Sequence, residues 1–162
     1  MPTLRQRRVH ELHTSIRKQL FDATNDGRLK SGVSAVFDHL RRARPPERVS
    51  TDPDAHALIG GEKDRRRESA RFVRDDDAWF HFTITVVEDG NGPLQLIAYD
   101  YEIVFPEGHI PPFVRLDLNP PMHRNVSRDL RSHVHPGNDD MHVPAPIVGP
   151  EEAIDWLLNG FR

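Results

Sequence analysis

The chain is 162 residues long, 36% hydrophobic and 29% charged, with a formal net charge of −3 and no cysteine. A chain of this length buries roughly two thirds of its unfolded surface, enough for one core. Without cysteine it has no disulfide framework, thiolate zinc site or thiol nucleophile, so any metal would need His, Asp or Glu ligands. No secretory leader and no apolar run of membrane-spanning length is seen, so a soluble cytoplasmic protein with no membrane association is expected.

The charge is uneven: +6 over residues 1–50, −2 over residues 51–77 and −7 over residues 78–162. The spacing of Leu4, Val9, Leu12, Ile16 and Leu20 predicts an amphipathic helix from Thr3 to Phe21, ended by Asn25-Asp26-Gly27. A second helix is expected from Val33 to Arg44, with Val33, Val36, Phe37 and Leu40 on one side and Pro45-Pro46 stopping it. Residues 1–44 thus form an N-terminal helical segment. Residues 45–68, rich in Pro, Asp, Gly and Arg and without periodicity, read as a flexible linker.

Residues 69–162 change to period two. A strand start at Ser69–Arg74, a strand at Trp79–Val87, a turn at Asp89-Gly90-Asn91-Gly92 and a return strand at Leu94–Phe105 are followed by strands at Phe113–Asn119 and Ser132–His135. Asn125-Val126-Ser127 matches a glycosylation acceptor but carries no weight without a secretory signal. The chain closes with a helix from Pro150 to Phe161, with Pro at its first position and Glu151 and Glu152 in its first turn. Together these elements predict one compact α+β domain: an antiparallel sheet of four to five strands with the N-terminal helices and the C-terminal helix packed on one face.

Alternation assigns Phe80, Phe82, Ile84, Val86, Ile97, Tyr99, Tyr101, Ile103, Val114, Leu116, Leu118 and Val134 to the core. The opposite face then gathers His81, Thr83, Thr85, Asp100, Glu102, Arg115, Asp117, His133 and His135. A solvated sheet face would carry polar residues in any case. This one carries groups able to shift protons near neutral pH, beside a segment containing Asp139, Asp140 and His142. Trp79 either stacks a base at the edge of this face or covers a hydrophobic edge beneath the last helix.

Two chemistries fit. In one, His133 and His135 act as acid and base, Arg115 neutralises charge on a phosphoryl group, Asp117 orients a neighbour, and a 2′-hydroxyl of RNA is the nucleophile; His81, Asp100, Glu102 and Arg124 would contact the substrate. In the other, His133-x-His135 with His142 and Asp140, or with Asp117 or Glu102, holds a divalent metal for a metal-dependent hydrolase. A non-catalytic, protein-binding adaptor is the alternative from a different class.

The run Tyr99-Asp100-Tyr101, Val114-Arg115-Leu116-Asp117, Pro120-Pro121, His123 and His133-Val134-His135 resembles the Arg-aromatic-Asp, Pro/His-rich loop and His-x-His order of the TumE-type toxins of bacterial toxin–antitoxin operons. The resemblance covers about residues 97–136, with Leu116 where an aromatic residue is usual. It implies a small α+β protein that acts on RNA, a small endoribonuclease of toxin or defence type restrained by a cognate antitoxin, with Arg115, Asp117, His133 and His135 as the matching positions.

Overall fold

A computed structural model describes residues 1–162 except 91, 122, 125–129 and 162. Asn91 of the expected turn and the Asn125-Val126-Ser127 triplet include residues outside that set; Gly90, in the same turn, has φ +83°.

The first helix, α1, runs Val9–Asn25 and buries Val9, Leu12, Ile16, Leu20 and Ala23. It starts later than periodicity predicts because the chain before it hydrogen-bonds to a strand. Leu4 N–H donates to the Leu94 carbonyl (2.8 Å) and Leu94 N–H to that of Gln6 (2.8 Å). Glu11 then caps the helix by accepting from the backbone N–H groups of Arg7 (3.0 Å) and Arg8 (3.3 Å), a reach-back that satisfies donors ahead of the first turn. Helix α2, Val33–His39, is also shorter than predicted. At Leu40 the chain leaves the helix for an edge strand, β1 (Leu40–Ala43), paired antiparallel with β2 (Ala55–Gly60). Leu40 is buried either way, so the apolar spacing does not distinguish one more helical turn from a strand.

Residues 45–68 are therefore not a flexible linker. They hold β2, which lies inside the sheet with β4 (Trp79–Val87) as its other neighbour. Its six residues are too few to stand out from the Pro- and Asp-rich sequence around them. Gly60 stands opposite Phe82, and a Cβ on it would come within 2.3 Å of two ring atoms. We expect Gly60→Ala to cost about 1–3 kcal/mol by overpacking. A urea midpoint equal to that of the wild type would refute this.

After a 3-10 turn at Arg67–Ser69 and the two-residue β3 (Phe72–Val73) come β4, β5 (Gln95–Val104), β6 (Phe113–Leu118), β7 (Ser132–Pro136) and β8 (Val143–Pro144). All pairings are antiparallel. The order is β1-β2-β4-β5-β6-β7-β8, with β3 alongside β4, giving eight strands where four to five were expected. Of the strands not expected, β1 and β8 are short edge pieces and β2 is an inner strand. Helix α3, Pro150–Asn159, joins α1 on one face, where Leu12, Ile16, Leu20, Phe80, Phe82, Ile84, Tyr101, Ile154 and Leu157 share one core. Arg74 is fully buried there. It donates to the carbonyls of Leu157 (3.2 Å) and Gly160 (2.6 Å), capping the end of α3, and pairs with Asp76.

The alternation rule fails at one place. The register of β4 and β5 shifts between Thr85 and Val86, so Val86 faces Leu96, Thr85 faces Ala98, and Ile97 is the extra residue of a bulge. Ile97 therefore leaves the main core and packs with Ala55, Val87 and Ala98, while Leu96 takes the core position.

Candidate functional site

Register places the polar residues in two adjacent rows across β4, β5, β6 and β7. One row is Thr83, Asp100, Asp117, His133; the other is His81, Glu102, Arg115, His135. Directly opposite residues share a face, so their side chains meet. β8 adds a ninth group to this face. Val143 lies opposite Val134, so its neighbour His142 falls on the side of His133 and His135. The reversal that brings it back passes through Gly137 at φ +75°, where a Cβ would press to 2.8 Å on Pro111.

The face is not open. His81, Glu102, His133 and His135 are each at most 3% exposed. Two cations from the segment that looked like a linker cover it. Lys63 pairs with Asp100, and Arg65 holds two carboxylates at once: Nε and Nη2 donate to Glu102 (2.9 and 2.7 Å), and Nη1 and Nη2 donate to Asp139 (both 2.8 Å). The Arg65 guanidinium also lies over the Phe113 ring, 3.4 Å from its centre. Arg115 donates from Nε to Asp117 (3.0 Å) and from Nη1 to Asp139 (2.5 Å). Asp139 thus bridges both arginines, and its carboxyl is held well below the usual range, by Arg65 first.

The charges settle accordingly. Burial alone would raise the pKa of Glu102; hydrogen bonds from His81 (3.2 Å) and Arg65 outweigh it and hold the carboxyl at about 2. Burial, with the Asp100 carboxylate beside it, pushes Asp117 up to about 6 despite Arg115. Burial followed by the Arg115 charge brings His135 down to about 4, and burial lowers His133 as well. Both imidazoles are neutral at pH 7.

Asp117 joins the rows. Its Oδ2 is 3.1 Å from Nε2 of His135 and 3.7 Å from Nε2 of His133. The three imidazoles stack on one another: His142 lies parallel to His133 with centres 4.7 Å apart and edge-on to His135 at 4.4 Å. Asp117 and Arg115 also form one wall of a cleft of about 570 Å³, whose other walls include Arg48, Lys63, Thr83 and His123.

Of the residues expected here from sequence, His81, Asp100, Glu102, Arg115, Asp117, His133, His135 and His142 are brought together. Two are not. Asp140 is exposed in the turn before His142, its N–H donating to the Asn138 side chain (2.8 Å), and the carboxylate beside the imidazoles is Asp117. Arg124 is exposed and lines a neighbouring groove with residues 47–52. Trp79 is buried on the polar side of the sheet with Val104 and Phe113, with no place beneath α3. Arg65, Lys63 and Asp139 went unassigned in the sequence. The available signal was a charge imbalance, since three carboxylates and one arginine on a buried face require further cations.

Comparisons with family models, curated proteins and solved structures find no match to this chain. Among the described residues no helix is long and apolar enough to cross a membrane.

Proposed function

We propose that the chain is an RNA-directed enzyme that cleaves a phosphodiester at the Arg115–Asp117 end of the cleft. The observation that carries this reading is the distribution of arginine partners. Arg65, Arg66, Arg67, Arg71, Arg74 and Arg115 are all ion-paired. Arg41, Arg42, Arg44 and Arg48, along edge strand β1 and the turn after it, make no ion pair or side-chain hydrogen bond among the described residues. Arg41 lies in the same row as Thr83, Asp100 and Asp117, through Ile59 of β2, and Arg48 lines the cleft itself. Arg41 and Arg48, uncompensated and on the side of the acid–base centre, suit a polyanion, whereas Arg42, opposite Leu58, alternates to the other face.

Within the cleft, Arg115 presents Nη2, which makes no hydrogen bond among the described residues, for charge that grows on a phosphoryl oxygen. Asp117, raised to about 6, is the group that exchanges protons near neutral pH, and the neutral imidazoles behind it are available as acceptors. RNA brings its own nucleophile, which fits a chain without cysteine.

Incubation with single-stranded RNA at pH 7, with and without added divalent metal, is expected to give cleavage that falls at least about 100-fold in His135→Ala. RNA left intact by the wild type under both conditions would sink the proposal.

A further inference from the structure

We infer that His133, His135 and His142 form a binding site for a single divalent first-row metal ion of the zinc type, with Asp117 as the adjoining carboxylate. One ring nitrogen from each of the three histidines lies within 4.8 Å of the others. Imidazole suits zinc and its neighbours, and three protein imidazoles with a further position beside a cleft is a frequent catalytic arrangement.

The proton count supports a cation. A neutral imidazole carries one N–H and one lone pair. His133 spends its N–H on the Leu130 carbonyl, Nδ1 to oxygen 2.8 Å, which leaves Nε2 as a bare acceptor. That acceptor points toward another, Asp117 Oδ2, at 3.7 Å, and the same oxygen stands 3.1 Å from Nε2 of His135. These separations bracket the donor–donor edge of a tetrahedron with bonds of about 2.0 Å, roughly 3.3 Å. The bond from His133 to a backbone carbonyl is the support that metal-ligating imidazoles ordinarily receive, because it sets the tautomer and the ring orientation.

One further polar atom points the same way. Oδ1 of Asp117 is buried without a hydrogen-bond partner among the described residues. Uncompensated lone pairs in a buried site cost free energy that a bound cation recovers. Structural use of the histidines alone would leave that cost standing. It would also give no reason for the turn at Gly137 to carry His142 back onto His133 and not into solvent.

The site holds whether or not the substrate is RNA. If RNA is cleaved in the adjoining cleft, a metal there supplies Lewis acidity and an activated water next to Asp117.

The test uses tag-free protein stripped with EDTA, dialysed and titrated with Zn²⁺ by calorimetry, and with Co²⁺ by visible absorbance, in the absence of RNA. The expected result is one equivalent bound, a Co²⁺ spectrum of low-coordinate type, and affinity reduced at least about 10-fold in His142→Ala. His142 is only half-buried and on a short edge segment, so this variant is expected to fold; far-UV circular dichroism checks that it does. Asp140→Ala is expected to bind as the wild type does. Failure of the wild type to bind either ion, or equal affinity in folded His142→Ala, overturns the metal site. Metal binding without RNA cleavage would instead overturn the proposed function and leave the metal site intact.

Discussion

Replacing Arg74 by methionine is expected to cost the fold about 2–5 kcal/mol. Methionine keeps an apolar stem of similar reach in the space next to α3 but brings no donor. The carbonyls of Leu157 and Gly160 then lose their guanidinium donor, and the Asp76 carboxylate loses its bidentate contact. The cost falls on the two carbonyls, each worth about 1–3 kcal/mol when left without a donor at a buried helix end, and not on Asp76, which is exposed and still accepts from the Ala78 N–H. Helix α3 depends on this cap because its sequence ends in Asn159-Gly160, with no cation in the last turn. For a domain of this size, each kcal/mol corresponds to about 2–4 °C in melting temperature, so a drop on the order of 10 °C is the outcome to look for. A thermal scan within about 2 °C of the wild type would show that α3 is held by its apolar face alone.

Long, strongly patterned elements were legible in the sequence. Trp79–Val87 emerges with the predicted bounds, and β5, β6, β7 and α3 deviate by one or two residues at an end. The failures share a cause. Leu40–Ala43 continues an apolar spacing that suits both a helix and a strand, and only its pairing with β2 decides between them. β2 itself has small residues, Ala55, Ala57 and Gly60, whose burial comes from the close approach of neighbours and not from their own hydrophobicity. Ile97 is a single inserted residue, and a bulge has no signature in a period-two pattern until the partner strand is known.

The candidate site divides the same way. Alternation on four strands put His81, Asp100, Glu102, Arg115, Asp117, His133 and His135 on one face because side-chain direction in a strand is a local property. What covers that face is not local. Arg65 lies 37 residues from Glu102 and 74 from Asp139, and it reaches both because β2, just before it in the chain, is paired with β4 inside the sheet. The same closure explains how an acidic sheet region of −7 tolerates burial: its carboxylates are neutralised by arginine and lysine borrowed from the preceding segment.

That borrowing makes Glu102→Gln the most informative change in the network. Glutamine reproduces the shape of the protonated carboxyl, so the variant measures what ionisation of Glu102 contributes. The carboxyl sits at about 2 in the folded chain against about 4.3 when unfolded. A folded pKa below the unfolded one means that the stabilisation is fully present above about pH 5 and is lost as pH falls through 4.3 toward 2. Its size at pH 7 is on the order of 3 kcal/mol, and the side chain is only 4% exposed, so solvent screening does little to reduce it. We expect the variant to melt about 6–12 °C below the wild type at pH 7, with the gap roughly halved at pH 3 and closing toward pH 2. In the variant, Arg65 keeps Asp139 and Lys63 keeps Asp100, so the covering segment stays attached at two of its three anchors. A constant gap in melting temperature between pH 3 and pH 7 would show that the lost stability is packing and not charge. A missing gap at pH 7 would show that Asp139 alone holds Arg65 in place.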